Sequence, residues 1–196
     1  CLVARELRSG KLVRWWQGDL GNAKTPPYPA TDPSSLFIAY FASAELGCHL
    51  ALNWPMPERV LDLFVEFRAA NNGKRTIAGK GLIGALVAYG LSDGDALEKE
   101  EMRALVMRGG PWSPIEQQQI LDYCQSDVDA VARLLPAMLP NIDLPRALLR
   151  GRYMAAVARM QFAGVPIDVA SFQRLMANWE SVKERIVGDI DRDYGV

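Results

Sequence analysis

The stretch from Trp112 to Leu135, WSPIEQQQILDYCQSDVDAVARLL, constrains this chain more than any other. Ser113 reads as a helix N-cap, Pro114 as the first helical residue and Glu116 as the reciprocal partner three positions on. Together they make a capping box with proline at N1. From there Ile120, Cys124, Val128, Val131 and Leu135 recur at helical spacing as one apolar stripe, a face that belongs against a core. Tyr123 and Asp127 lie one turn apart, about 60° round the axis from that stripe by the 3.6-residue period. The pattern therefore puts both at the rim of the core, where a cleft would open.

Composition bounds what surrounds this helix. The 196 residues are 49% hydrophobic, enough for one core and a smaller appendage. A net charge of −1 gives no broad basic track for a duplex, although a site that grips only a strand end needs none. Cys1, Cys48 and Cys124 are odd in number and far apart, which argues for reduced thiols in a cytosolic compartment and against a disulfide frame or a zinc site. No apolar run approaches the roughly 18 residues of a membrane span, and no signal peptide is visible. The chain opens without Met on CLVARELR and stops at DYGV directly after a helical pattern, so it is expected to be a piece of a longer protein.

Read in order, Leu2 to Leu7 and Leu12 to Trp16 are β-compatible runs joined by Ser9-Gly10, a hairpin. Gly18 to Ser35, with Pro26, Pro27, Pro29 and Pro33, reads as an irregular loop. LFIAYF, from Leu36 to Phe41, reads as a central strand buried on both faces. Ser43 is placed to cap the next helix, with Leu46, Leu50 and Ala51 inward, Glu45 in its first turn and Asn53-Trp54-Pro55 at its end. Arg59 to Phe67 reads as a strand leading into a helix that Asn71 to Gly73 breaks. Ile83, Leu86, Val87 and Leu91 mark an amphipathic helix ending in a Gly and Asp turn, and Glu98 to Met107 another that stops at Gly109-Gly110-Pro111. After the capped helix, Pro136, Pro140 and Pro145 break the chain, which predicts a domain boundary near Ile142 and hence domains 1–142 and 143–196. Beyond it, Arg146 to Ala163 and a long helix from Asp168 to about Tyr194, separated by Gly164-Val165-Pro166, predict a helical hairpin.

The residues able to carry chemistry are Glu45 at a strand end, Asp62 in an apolar strand, and Tyr123 with Asp127. Carboxylates on separate elements suit hard divalent cations. The bland alternatives are a first-turn acid for Glu45, a half-buried ring with a wet hydroxyl for Tyr123 and a surface acid for Asp127. Asp62 reads as structural, satisfied by backbone amides. His49, one turn after Glu45, reads as structural more readily than as part of a site, and Trp112 as a core plug more readily than as a base-stacking ring.

YCQSD resembles the third motif, Tyr-x-x-x-Asp, of 3′–5′ exonuclease domains with the DnaQ or ribonuclease H-like fold, in the tyrosine subclass found in family A DNA polymerases. FIAYFASAELGCHLALNW resembles their second motif, RVLDL the strand that follows, and KGLIGALVAYGL the helix before the third motif. ALLRGRYMAAVARMQFAGVPIDVASFQRL resembles the segment that joins exonuclease to polymerase. The resemblance implies an α/β fold, a ribonuclease H-like mixed sheet flanked by helices and followed by the helical hairpin. It implies a proofreading 3′–5′ exonuclease domain that hydrolyses the terminal phosphodiester of a single-stranded DNA 3′ end with two Mg²⁺ or Mn²⁺ ions. Asp127 and Glu45 would be the metal ligands, and Tyr123 would aim the attacking water. The partners implied are DNA and a polymerase domain of the same longer chain, with no membrane, in the cytoplasm of a bacterial or phage-infected cell.

Two features depart from the family's pattern. Its opening Asp-x-Glu motif is absent from CLVARELR, which resembles the second strand, so that motif is expected upstream of Cys1 and the fragment alone is expected to be inactive. The second-motif Asp is here Glu45, one methylene longer. Two alternatives follow, a ribonuclease trimming RNA 3′ ends on the same fold, and a degenerate exonuclease domain kept as a structural or strand-binding module.

Overall fold

Among the described residues, two separate strand pairs, each leaning on helices, form the β structure of this α/β chain. The computed structural model describes residues 1–91 and 96–195, with the side chains of all of them except 96–100. β1 (Leu2–Arg5) and β2 (Leu12–Trp15) pair antiparallel with Val3 opposite Arg14. The turn closes where the Glu6 carboxylate accepts the amides of Arg8 and Ser9 at 2.9 and 2.7 Å, with Gly10 at φ 72°, as the Ser9-Gly10 signal predicts. A short helix α1 (Gln17–Asn22) interrupts the expected loop; the Asp19 carboxylate accepts the Trp16 amide at its start.

β3 (Phe37–Ala39) and β4 (Val60–Asp62) run parallel, Ile38 opposite Leu61, joined through α2 (Ala42–Ala51). The expected single mixed sheet is not formed among the described residues, because no strand hydrogen-bonds the second edge of β3 or bridges the two pairs. For the same reason β3 is not central, and its Phe37 and Ile38 are only half-buried. α3 (Leu63–Ala70) follows β4 directly, then α4 (Leu82–Ala88), α5 (Ala96–Arg108) and α6 (Pro114–Met138). The Gly and Asp turn expected after Leu91 lies outside the described residues.

α4 buries Gly84, Ala85 and Leu86 while Val87 stays exposed. Gly84 sets that rotation: a Cβ there would stand 2.2 Å from the Gly79 carbonyl oxygen. α6 begins with the expected box, Ser113 Oγ accepting the Glu116 amide and Glu116 accepting the Ser113 amide. It runs through Pro136 to Met138 instead of stopping there. Its deepest positions are Ile120, Ala130, Leu134 and Met138, with Cys124, Val128, Val131 and Leu135 half-buried beside them.

Alternation along β4 divides the core. Val60 joins Ala39, Ala42, Leu46, Met154 and Ala158, whereas Leu61 joins Leu63, Phe67, Leu86, Leu134 and Met138. α7 (Leu144–Ala163) serves both clusters, with Ala147 in the second and Met154 and Ala158 in the first. Gly151 lets it lie directly on β4, since a Cβ would meet the Val60 carbonyl oxygen at 1.9 Å. Arg150 of α7 clasps buried Glu66 of α3 through two bonds of 2.7 and 2.6 Å, the bidentate geometry that fixes orientation as well as charge.

These contacts move the domain boundary. The two compact units are Cys1–Phe162 and Ala163–Val196, so the helix expected to open a second domain after Ile142 completes the core of the first. In the second unit, Asp168 caps α8 (Val169–Ala177) by accepting the Ser171 amide and hydroxyl. Asn178, at φ −111° and ψ 7°, leaves helical geometry and separates α8 from α9 (Trp179–Tyr194), so the long helix predicted there is two.

Candidate functional site

Asp62 organises the end of the β3–β4 pair. Only 1% exposed, its carboxylate accepts the amides of Phe41 and Ala42 at 3.0 and 2.9 Å and that of Phe64 at 2.9 Å. It thus caps α3 and supports the start of α2 together, the structural role its sequence context predicts. Burial raises its carboxyl pKa and the donated amides hold it down. Ser43, expected to cap α2, lies within the helix; Phe41 occupies the capping position, in the left-handed region at φ 75°, and bonds nothing through its side chain there. The buried Ser43 Oγ has no hydrogen-bond partner among the described residues.

Glu45 stands in the first turn of α2, as predicted. Its carboxyl is pushed up to about 7, first by burial and then by the negative charge of Asp62, its own backbone amide opposing. The residue itself keeps an exposed surface. On α6, half-buried Tyr123 has its phenol raised by burial and by Asp127, with Arg103 opposing. Cys124 is raised by burial first and by Asp127 among its neighbours. Tyr123, Cys124 and Asp127 therefore lie together along one stretch of α6.

His49 is committed elsewhere. At 1% exposed, its Nε2 lies 2.7 Å from the Tyr28 hydroxyl and its Nδ1 2.8 Å from the Pro55 carbonyl. Since a carbonyl only accepts, Nδ1 carries the proton and Nε2 accepts from Tyr28, a neutral ring whose pKa burial lowers. Trp54, Phe37 and Tyr28 surround it. Trp112 packs edge-on against Trp16 at 5.8 Å, a wall contact between the hairpin region and the start of α6.

Oxygen donors such as Glu45 and Asp127 suit Mg²⁺ or Mn²⁺. Among the described residues, however, no group of three or more His, Cys, Asp or Glu side chains is arranged to hold a metal ion. These two carboxylates do not make a two-ion clamp by themselves. Sequence reasoning passed over Phe41, whose left-handed backbone has no sequence signature in a bulky residue, and Arg103, whose approach to Tyr123 depends on the packing of α5 on α6.

Compared with protein-family models, curated proteins and solved structures, the chain has no match. No helix among the described residues is long and apolar enough to cross a membrane.

Proposed function

We propose that this chain is a 3′–5′ exonuclease-type domain of ribonuclease H-like design, acting on the single-stranded 3′ end of DNA beside a family A polymerase. The observation that carries the reading is the Tyr123–Asp127 pair, one turn apart on the capped helix α6, together with Glu45 in the first turn of α2 where it follows β3. The order of elements supports it as well, a hairpin, then two strand-to-helix units, then the capped helix. Tyr123 holds its phenolic proton at neutral pH and can donate it to a scissile phosphate or a water. Glu45 changes charge near neutral pH, which makes its contribution sensitive to pH. Asp127 supplies a carboxylate on the same face as Tyr123.

The test is shortening of a 5′-labelled single strand, with Mg²⁺ or Mn²⁺ supplied, by the natural protein that carries this sequence. Asp127→Ala abolishes shortening and leaves polymerisation; unchanged shortening sinks the assignment. A DNA end is degraded in preference to an RNA end, and the reverse preference points to an RNA-trimming enzyme. The two-carboxylate count favours one second reading, a strand-binding module without hydrolysis, which gains if the natural protein binds the strand and never shortens it.

A further inference from the structure

We propose that Phe41 and Phe64 form an aromatic step that stacks the terminal base of a single-stranded nucleic acid, while Arg68 and the basic segment through Lys80 take its phosphates. This rests on the strand-end reading above and adds to it a group that positions the base. Phe41 is 42% exposed, and its φ of 75° is one that a bulky side chain rarely adopts. Asp62 fixes the backbone of both rings, accepting the Phe41 and Phe64 amides from its buried position. The rings meet edge-on at 5.1 Å and 85°, with Tyr40 5.7 Å from Phe64 on the other side. The Arg68 guanidinium lies 5.5 Å from the Phe64 ring centre, within cation–π range.

The segment that follows Phe67 is one-sided in charge. From Phe67 to Leu91 the chain holds Arg68, Lys74, Arg75 and Lys80 and no Asp or Glu, in a protein whose net charge is −1. The Tyr40 hydroxyl donates to the Lys80 carbonyl at 2.6 Å, which ties the end of that segment to the aromatic group. Arg68, Lys74 and Arg75 are exposed. Aromatic faces interleaved with cations suit a single strand, because every base has a π face and every linkage a negative charge. A ring that served only as a plug would be covered, whereas Phe41 is displayed one helical turn before Glu45.

The experiment measures binding of the full chain, in chelator, to a fluorescent oligothymidylate and to the same strand with an abasic 3′-terminal residue. Phe41→Gly suits the positive φ and removes the ring, and Phe41→Tyr keeps the ring. The expected result is binding weakened about tenfold by Phe41→Gly, retained by Phe41→Tyr, and weakened similarly by the abasic end. On the abasic strand Phe41→Gly then has little further effect, as two changes removing one contact should. Equal binding of intact and abasic strands by the unaltered chain overturns the stacking role, even if the glycine variant folds poorly. Failure of the unaltered chain to bind any strand overturns the strand-end reading itself, and the two failures are distinct.

Discussion

The two strand pairs are held by opposite means. The β1–β2 hairpin is half-buried throughout and is fastened to α6 by side chains at its surface. Arg5 meets Asp129 at 2.7 Å, and Arg14 meets Asp122 at 2.6 Å and Gln125 at 2.9 Å. The β3–β4 pair has β4 fully buried, the helix starts that follow its strands held by Asp62 and its backbone pressed by Gly151 of α7. One pair forms from neighbours in sequence and is steadied by screened charges. The other exists only when helices from distant parts of the chain close over it, and there the candidate site is anchored.

Breaking that contrast starts with Asp62→Ala. It strips the cap of α3 and leaves buried amides of the α2 start without an acceptor, an expected loss of about 3 kcal/mol or more in urea unfolding. Gly151→Ala forces α7 off Val60 and is expected to remove about 1–3 kcal/mol by the same measurement. Arg14→Ala, on the hairpin side, should change stability by no more than about 1 kcal/mol, since Asp122 is well exposed to screening solvent. If Arg14→Ala proved as damaging as Asp62→Ala, the two pairs would not differ as described.

The smallest effect sharpens the contrast at the start of α2, on the β3–β4 side. Glu45 has its carboxyl raised from 4.5 to about 7 in the fold, so the folded chain binds a proton more readily than the unfolded one. Its contribution to stability is therefore full below pH 4.5 and is lost as pH rises towards about 7. Glu45→Gln should flatten that part of a stability profile measured by unfolding between pH 4 and pH 8. A slope unchanged by the substitution would place the carboxyl in ordinary solvent.

Local chemistry made much of this legible. The hairpin turn at Ser9-Gly10, the capping box of Ser113 and Glu116, the structural role of Asp62 and the first-turn place of Glu45 each depend on residues a few positions apart. The misplacements share another cause. Ser43 matches the chemistry of a cap, yet Asp62, from a different strand, holds the start of α2, and nothing near Ser43 in sequence reports that. Three prolines after Leu135 suggested a boundary near Ile142, but Ala147, Gly151, Met154 and Ala158 find partners across the core that no spacing rule reveals.

What the sequence determined by itself was most of the elements, the caps at Ser113 and Asp168 and the shared helical face of Tyr123 and Asp127, because hydrogen bonds within a turn and the 3.6-residue period are local. Tertiary structure alone decided that the strands form two pairs among the described residues, that α7 belongs to the first unit, and that Asp62 holds the start of α2. It also set Phe41 into a conformation its sequence does not announce. Those outcomes depend on which distant surfaces bury one another, a property of the assembled core and not of any stretch within it.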